Sequence, residues 1–326
     1  QGNHIGIDAS GTASISNRSA NINIDSAPGT IIGGTNSTTR NVISGCVQMG
    51  IKVAGTTAAG TVIQGNFIGT DAAGMLPVSN KWQGISLEAP ECQVGGTVLS
   101  EWNLISGNGN DGILLSGTDA HGNVIQGNRI GVDVTGTNAL GNGFGVTISG
   151  AASNTIGGTV VGAGNVISGN RNSGINMVLQ AAFNTIEGNR IGTDAAATLL
   201  LGNGGSGILV SSCSLSNRIG SALGPNYIGD NNYGIFVEYT TGTIVRANYV
   251  GNNGTTAIPN RRSGIYLSTG CGLTRIGTIL GIDGNVVSGN KGNGVFAEDA
   301  GPTILNNFIG VTRTGIPLSN NLHGIE

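Results

Sequence analysis

Charge is scarce in this sequence of 326 residues, since Asp, Glu, Lys and Arg together make up 10% of it, against roughly 25% in ordinary soluble domains. The net charge is −3 and the positive residues are scattered, so no basic stripe indicates nucleic-acid binding. Apolar runs are short, and none approaches the ~18 residues that a membrane-spanning helix needs. We therefore expect no nucleic-acid partner and no membrane insertion.

Histidine, cysteine and proline are also rare. The three histidines stand far apart in the sequence, which argues against a nucleophile–His–acid triad and against a His-based metal site. The four cysteines have long spacings that match no zinc pattern, so we expect small semi-buried residues with free thiols. The seven prolines do not suit a Pro-rich disordered chain. We expect neither a metal nor another cofactor.

Repetition is what the sequence has in abundance. One series of the phrase Asn-x-(Ile/Val) has eleven members, at Asn3, Asn41, Asn66, Asn103, Asn128, Asn165, Asn189, Asn226, Asn248, Asn285 and Asn307. The steps between successive copies alternate between long and short without exception, so the repeating unit is a pair of coils of about 60 residues.

Two further phrases accompany the asparagine phrase in each coil. One is Gly-(Ile/Val)-x-apolar, as at Gly112, and the other precedes the asparagine phrase, as at Asn154-Thr155-Ile156-Gly157. Each phrase is short, alternating and rich in β-branched residues, which is typical of a strand with one buried face. Such coils cannot fold alone, and stacking pairs each strand with its copy above and below. The sequence predicts an all-β, right-handed parallel β-helix of about ten coils, with three short strands per coil and alternating long and short coils.

These phrases also carry a family resemblance. The segments 103–108 (Asn-Leu-Ile-Ser-Gly-Asn) and 112–117 (Gly-Ile-Leu-Leu-Ser-Gly) resemble the parallel β-helix repeat of pectate-lyase-like proteins, and the resemblance covers essentially the whole chain. It implies the fold. It does not select an activity, because that superfold holds polysaccharide lyases, glycoside hydrolases, sugar epimerases, adhesins and phage tailspikes. We expect one β-helix domain over residues 1–326, as a segment of a longer repetitive protein.

The asparagines of the first phrase are expected to stack, because an amide both donates and accepts hydrogen bonds along the rod. Five residues further on, aspartates such as Asp71 and Asp133 alternate with asparagines such as Asn108 and Asn170. We interpret this series as one turn column whose carboxylates are spaced two coils, about 10 Å, apart. That spacing is too sparse to gather the oxygens that calcium requires.

The residues offer no catalytic arrangement. Polygalacturonase-like hydrolases place clustered aspartates on one face with a Gly-His-Gly segment, and this sequence has neither an Asp-Asp pair nor Gly-His-Gly. Pectate-lyase-like enzymes combine calcium-binding acids with a base, and no dense acid cluster faces a Lys or Arg here. We therefore assign no catalytic residue. Short inserts follow the aspartate and the Gly-Gly phrase, as at residues 72–80 and 97–102, where loops on a solenoid can carry binding.

One surface column stands out on the Gly-Ile strand. Its outward position holds Phe236, Tyr266 and Phe296 in consecutive coils. Two residues further on, Glu238 and Glu298 flank the column. The residue beside them is Asp299. Rings edged with carboxylates suit sugar recognition, and we predict these six as ligand-binding residues. The alternative is that the aromatics are ordinary cross-strand pairs of a β surface.

The leading hypothesis is a structural or adhesive module at the surface of a cell or outside it, in a bacterial setting. Its expected partners are a polysaccharide or cell-surface glycan and, by end-to-end or lateral self-association, further copies of the chain. The alternative is a carbohydrate-active enzyme, namely a polysaccharide lyase, epimerase or glycoside hydrolase, that uses Glu238 and Glu298.

Overall fold

The chain is a parallel β-helix in a computed structural model that describes residues 1–213, 216–279, 283–298 and 300–326. The described residues form 31 short strands in three parallel sheets of eleven, ten and ten strands, in which every strand pairs with its copy in the next coil. This confirms the predicted fold and is close to the expected ten coils. A 3₁₀ turn, Ser37–Thr39, is capped by Asn36. In the described ranges, no helix is long and apolar enough to cross a membrane.

The first sheet, here called the asparagine sheet, follows the Asn-x-(Ile/Val) phrase. Its strands are β1 His4–Ile5, β4 Val42–Ile43, β7 Phe67–Ile68, β10 Leu104–Ile105, β13 Arg129–Ile130, β16 Val166–Ile167, β19 Arg190–Ile191, β22 Tyr227–Ile228, β25 Tyr249–Val250, β28 Val286–Val287 and β31 Phe308–Ile309.

The second sheet, here called the Gly-Ile sheet, has the longest strands. They are β2 Ile22–Asp25, β5 Ile51–Ala54, β8 Ile85–Glu88, β11 Ile113–Ser116, β14 Val146–Ser149, β17 Ile175–Val178, β20 Ile208–Ser211, β23 Ile235–Glu238, β26 Ile265–Leu267 and β29 Val295–Ala297.

The third sheet connects these two in each coil. Its strands are β3 Ile31–Gly33, β6 Val62–Gln64, β9 Gln93–Gly95, β12 Val124–Gln126, β15 Thr155–Gly157, β18 Thr185–Glu187, β21 Arg218–Ile219, β24 Ile244–Val245, β27 Arg275–Gly277 and β30 Thr303–Leu305.

One hydrophobic core runs through the rod. Each strand turns a β-branched residue inward, and in a central coil Ile113, Ile125 and Ile130 from the three sheets are fully buried. Burying such a side chain stabilises the fold by about 1.5–3 kcal/mol, and every coil repeats the contribution. The four cysteines are free thiols, as expected, but they are buried rather than semi-buried.

The asparagines of the first phrase form a continuous ladder at one corner of the coil, which confirms the expected stacking. Each Nδ2 donates to the Oδ1 of the asparagine in the next coil, at 2.8–3.1 Å from Asn3 to Asn307. A second Oδ1 interaction, with the backbone N–H of the neighbouring asparagine, as between Asn103 and Asn128 at 3.1 Å, fixes the turn. The ladder therefore satisfies polar groups that the tight corner buries.

The position five residues beyond this ladder is not a single column, and that part of the sequence interpretation was wrong. Asn108 bonds to Asn80 at 3.0 Å and to Asn142 at 2.9 Å, and both of these partners follow an insert. Asp71 instead opens an insert, and its Oδ1 accepts two backbone N–H groups within it. The insert begins before the corner of the coil. The asparagine that follows the insert therefore occupies the ladder position that the sequence spacing had predicted for the aspartate.

Candidate functional site

The predicted aromatic column lies on the outer face of the Gly-Ile sheet. Phe236 in β23 pairs in register with Tyr266 in β26, which pairs with Phe296 in β29. Val237 and Leu267, which follow the first two rings, are buried in the core, and Ala297 after the third packs against it, so strand alternation turns the rings outward. The placement of the three rings in consecutive coils is confirmed, whereas their role in ligand binding stays a prediction.

The three rings stack on one another along the rod. The ring centroids of Phe236 and Tyr266 lie 4.8 Å apart with an interplanar angle of 26°, and those of Tyr266 and Phe296 lie 5.3 Å apart at 8°. Neighbouring rings therefore cover much of each other's faces. A ligand on this surface therefore meets mainly ring edges. Because the rings stack on one another, few ring faces are left for a sugar to stack on.

Tyr233 completes the aromatic cluster, although the column did not include it. It lies in the turn before β23, and its ring centroid is 5.0 Å from Tyr266 and 5.5 Å from Phe236. Arg262 from the next coil donates from Nη1 to the Tyr233 hydroxyl at 3.0 Å, with its guanidinium 5.5 Å from the ring centroid. The signal in the sequence was an aromatic residue directly before the glycine of the Gly-Ile phrase.

Two carboxylates border the rings, as predicted, and they have different surroundings. Glu298 is exposed and accepts a hydrogen bond from the Tyr266 hydroxyl, which together with burial raises the pKa of Tyr266 to about 12. Glu238 is half-buried at the end of β23. The coil that carries Ser268 separates the two, so they are about 10 Å apart along the rod. Asp299 lies outside the described residues.

A cleft of about 410 Å³ opens beside the rings, and its lining contains neither Glu238 nor Glu298 but does contain the carboxylate of Glu326. Tyr233 and Phe296 contribute its aromatic lining, and Arg262 and Lys291 contribute cations. Lys291 forms no ion pair with any residue that the structure describes. The cleft thus combines ring surface with hydrogen-bond donors, which is the combination that small polar ligands with apolar faces require.

A buried polar cluster occupies the same outer face several coils away. Asp111 is 5% exposed and accepts hydrogen bonds from the Thr147 hydroxyl and, at 3.2 Å, from the Gln83 amide. Burial raises the pKa of the Asp111 carboxyl, and these hydrogen bonds oppose the shift. No second carboxyl among the described residues affects its pKa, so it does not form a pair for acid–base catalysis.

Among the described residues, no group of three or more His, Cys, Asp and Glu side chains is placed to hold a metal ion. The turn aspartates instead accept hydrogen bonds from backbone N–H groups of the inserts. Burial would raise the pKa of Asp133, but hydrogen bonds from Thr135, Asn138 and backbone N–H groups lower it. Its oxygens are therefore committed within the insert.

No family model and no curated protein sequence matches the chain. Among solved structures it is similar to a periplasmic alginate epimerase, with 15% identity and a TM-score of 0.40 over 88% of this chain and 50% of that one. It is similar to a tailspike protein of an Escherichia coli bacteriophage, with 12% identity and a TM-score of 0.41 over 91% and 41%. An alginate lyase of a Paenibacillus species shares 13% identity with a TM-score of 0.34 over 88% and 99%.

The chain thus spans half or less of the length of the first two of these proteins. At such identities and scores, the likeness carries no conclusion about activity. The assignment of a parallel β-helix rests on the three sheets and their register.

Proposed function

We propose that the chain binds a polysaccharide or cell-surface glycan on the outer face of the Gly-Ile sheet, as a structural or adhesive module that acts outside the cytoplasm and does not turn its ligand over. The observation that carries the proposal is the cleft of about 410 Å³ that joins aromatic rings and cations on one side of the strip. The strip is defined as Phe236, Tyr266 and Phe296.

The chemistry of the cleft suits a saccharide. Sugar rings carry C–H groups that pack on the Tyr233 and Phe296 rings, while their oxygens accept hydrogen bonds from Arg262 and Lys291. Glu298 has acceptor capacity left after its bond to Tyr266, so it can receive a sugar hydroxyl. The repeated coils hold these groups on a rigid sheet, which reduces the entropy lost on binding.

The arrangement favours binding over catalysis. Glycoside hydrolysis needs two carboxyl groups about 5–9.5 Å apart with separate roles as acid and as base or nucleophile. Glu238 and Glu298 belong to coils two steps apart, and Tyr266 already donates a hydrogen bond to Glu298. The carbohydrate-active enzyme remains the alternative that the experiment must exclude.

The test measures binding and turnover of the purified chain with a panel of neutral and uronic-acid polysaccharides. We expect binding without release of reducing ends or of unsaturated products. Tyr266→Ala should weaken binding by about tenfold or more, because it opens the middle of the ring stack. Phe183→Ala is the matched control, since Phe183 is 54% exposed and lies outside the strip.

If the wild type turns over a polysaccharide and Glu238→Gln or Glu298→Gln abolishes that turnover, the chain is a carbohydrate-active enzyme and the proposal is wrong. Equal binding by wild type and Tyr266→Ala would show that the strip does not contribute to glycan binding. The expected end-to-end or lateral self-association stays a prediction, and sedimentation velocity over a range of protein concentrations checks it.

A further inference from the structure

A second type of site arises on the outer face of the asparagine sheet, where inserts follow the Gly-Gly phrase only in alternate coils. Two notches of similar size lie at short coils between these inserts. The first notch, of about 390 Å³, is lined by Asn36, Arg40, Gly65, Val98, Leu99, Ser100 and Trp102. The second notch, of about 400 Å³, includes Val160, Val161, Gly188, Arg190, Leu223 and Tyr227.

Glycine keeps the floor of each notch open. Gly188 has φ +75°, and a Cβ there would lie 2.2 Å from the carbonyl oxygen of Gly158. Gly65 has φ +70°, and its Cβ would lie 2.1 Å from the carbonyl oxygen of Gly34. Because a side chain at these positions would clash with the backbone of the preceding coil, each notch keeps a glycine in its floor.

One arginine is held against an aromatic ring beside each notch. The guanidinium carbon of Arg40 lies 4.1 Å from the ring centroid of Phe67, and that of Arg190 lies 4.0 Å from the centroid of Tyr227. Such contacts fix the plane of the guanidinium while leaving its charge intact. Each notch therefore has a preoriented cation with several N–H donors.

These arginines have no anionic partner in the described part of the chain, since neither Arg40 nor Arg190 forms an ion pair. Asp194 attracts Arg190 electrostatically. Its Oδ1, however, accepts the backbone N–H groups of Thr198 and Leu199 at 2.7 and 2.9 Å. Burial lowers the pKa of Arg190, which shows that its charge is partly desolvated without compensation at contact distance.

The walls of the notches are apolar and exposed. Leu99 is 82% exposed beside the first notch, and Val161 and Leu223 are 98% and 81% exposed beside the second. Exposed apolar side chains that rim a cavity are typical of binding sites. A ligand that fills a notch would cover these walls and place an anionic group on the arginine.

We propose that the two notches bind anionic saccharide units of an acidic polysaccharide, with one carboxylated or sulfated unit in each notch. The notches are four coils, or about 19 Å, apart, so one extended chain can engage both and gain avidity. This surface is separate from the strip, and the inference does not rest on glycan binding there.

A nucleic acid fits the notches less well. Its phosphates follow one another at about 3.4 Å per strand, so most of them would face the rod between the two arginines. The net charge of −3 also opposes a ligand of such dense negative charge. The notches instead suit a chain whose charged units are interspersed with apolar ring faces.

The experiment measures affinity of the full chain for polygalacturonate and for dextran sulfate, with uncharged dextran and single-stranded DNA as comparisons. Arg40→Gln combined with Arg190→Gln should weaken binding of the acidic polysaccharide by at least tenfold, since each change removes charge-assisted hydrogen bonds. Arg218→Gln combined with Arg275→Gln is the matched control, because it removes the same charge from exposed positions on the third sheet.

A second pair of variants avoids any effect on folding. Val161 is almost fully exposed, so Val161→Asp and Val161→Lys leave the core intact and change only the charge at the wall. Val161→Asp should weaken binding of the acidic polysaccharide and Val161→Lys should strengthen it, both by a factor that falls as salt is added.

Preference for the carboxylated or for the sulfated polymer identifies the anionic group and supports the proposal. Three results overturn it: neither acidic polymer binds, the control pair loses as much affinity as the notch pair, or Val161→Asp and Val161→Lys bind alike. Single-stranded DNA that binds as tightly through the same arginines would assign the notches to nucleic acid instead.

Discussion

Tyr266 differs from the other rings of the strip because its hydroxyl is bound to a carboxylate of the next coil. The Glu298 acceptor favours the protonated phenol, which is why the pKa of Tyr266 rises to about 12 although the residue is only half-buried. The bond also orients Glu298 across the strip. At the scale of single residues, this contact couples the aromatic column to its carboxylate border.

Glu298→Gln should lower the pKa of Tyr266 from about 12 toward the ordinary value of about 10, because the charge that opposes phenolate formation is gone. The measurement is a titration of phenolate absorbance, taken as the difference between each protein and the same protein with Tyr266→Phe. Glu238→Gln is the control and should leave the titration unchanged. An unshifted titration in Glu298→Gln would show that the hydrogen bond does not persist in solution.

Asp111 should make stability depend on pH. Burial raises the pKa of its carboxyl in the folded chain, so the folded state holds the proton more tightly than the unfolded state does. The free energy of unfolding should therefore fall as pH rises from the unfolded pKa, about 3.9, through the folded pKa. Asp111→Asn should remove this part of the dependence.

Thermal or urea unfolding of the Asp111→Asn variant over that pH range provides the check. The matched control is Asp119→Asn, at an exposed carboxylate. If Asp111→Asn keeps the full pH dependence of the wild type, the buried carboxyl does not titrate as proposed.

Three asparagine ladders organise the corners of the coil at the scale of structural elements. The first follows the Asn-x-(Ile/Val) phrase, and the second runs from Asn80 to Asn320, with an insert before every other rung. The third, from Asn123 to Asn217, precedes the third sheet with bonds of 2.9–3.1 Å. Each replaces water at a buried turn with a donor and an acceptor from the neighbouring coils.

Asn128→Ala should destabilise the chain by about 2–4 kcal/mol, because it leaves buried groups of several neighbours without partners. Asn128 accepts from Asn103 at 2.9 Å and donates to Asn165 at 3.0 Å and to the Val94 carbonyl at 2.9 Å. Asn3→Ala is the control, since Asn3 is exposed. Chemical denaturation measures both, and equal losses would contradict a specific contribution of the buried rungs.

The whole molecule is a stack in which each strand pairs with its copies in the neighbouring coils. Its core is continuous, yet the strands of the last coil are less buried, as the half-buried Ile309 in β31 shows. Stability in such a solenoid is a sum of coil and interface terms, so the position of a defect along the rod decides its cost.

Ile130→Ala, in a central coil, should therefore cost about 2–5 kcal/mol through a buried cavity. Ile309→Ala should cost clearly less, because its site is partly open to solvent. Thermal unfolding followed by circular dichroism compares the two. A larger loss of stability in Ile309→Ala than in Ile130→Ala would indicate that the last coil contributes more to stability than the central coils do.

The sequence by itself determined the repeat, the three strands per coil, the first asparagine ladder and the outward column of Phe236, Tyr266 and Phe296. These depend on local alternation and on stacking in register, so a linear pattern contains them. Only the tertiary structure decided which residues align beyond an insert, why Tyr233, Arg262 and Lys291 join the strip in one cleft, and where the notches open. The physical reason is that an insert changes the sequence spacing between two residues without moving the corner of the coil. Side chains that are a whole coil apart in the sequence come into contact only when the coils stack.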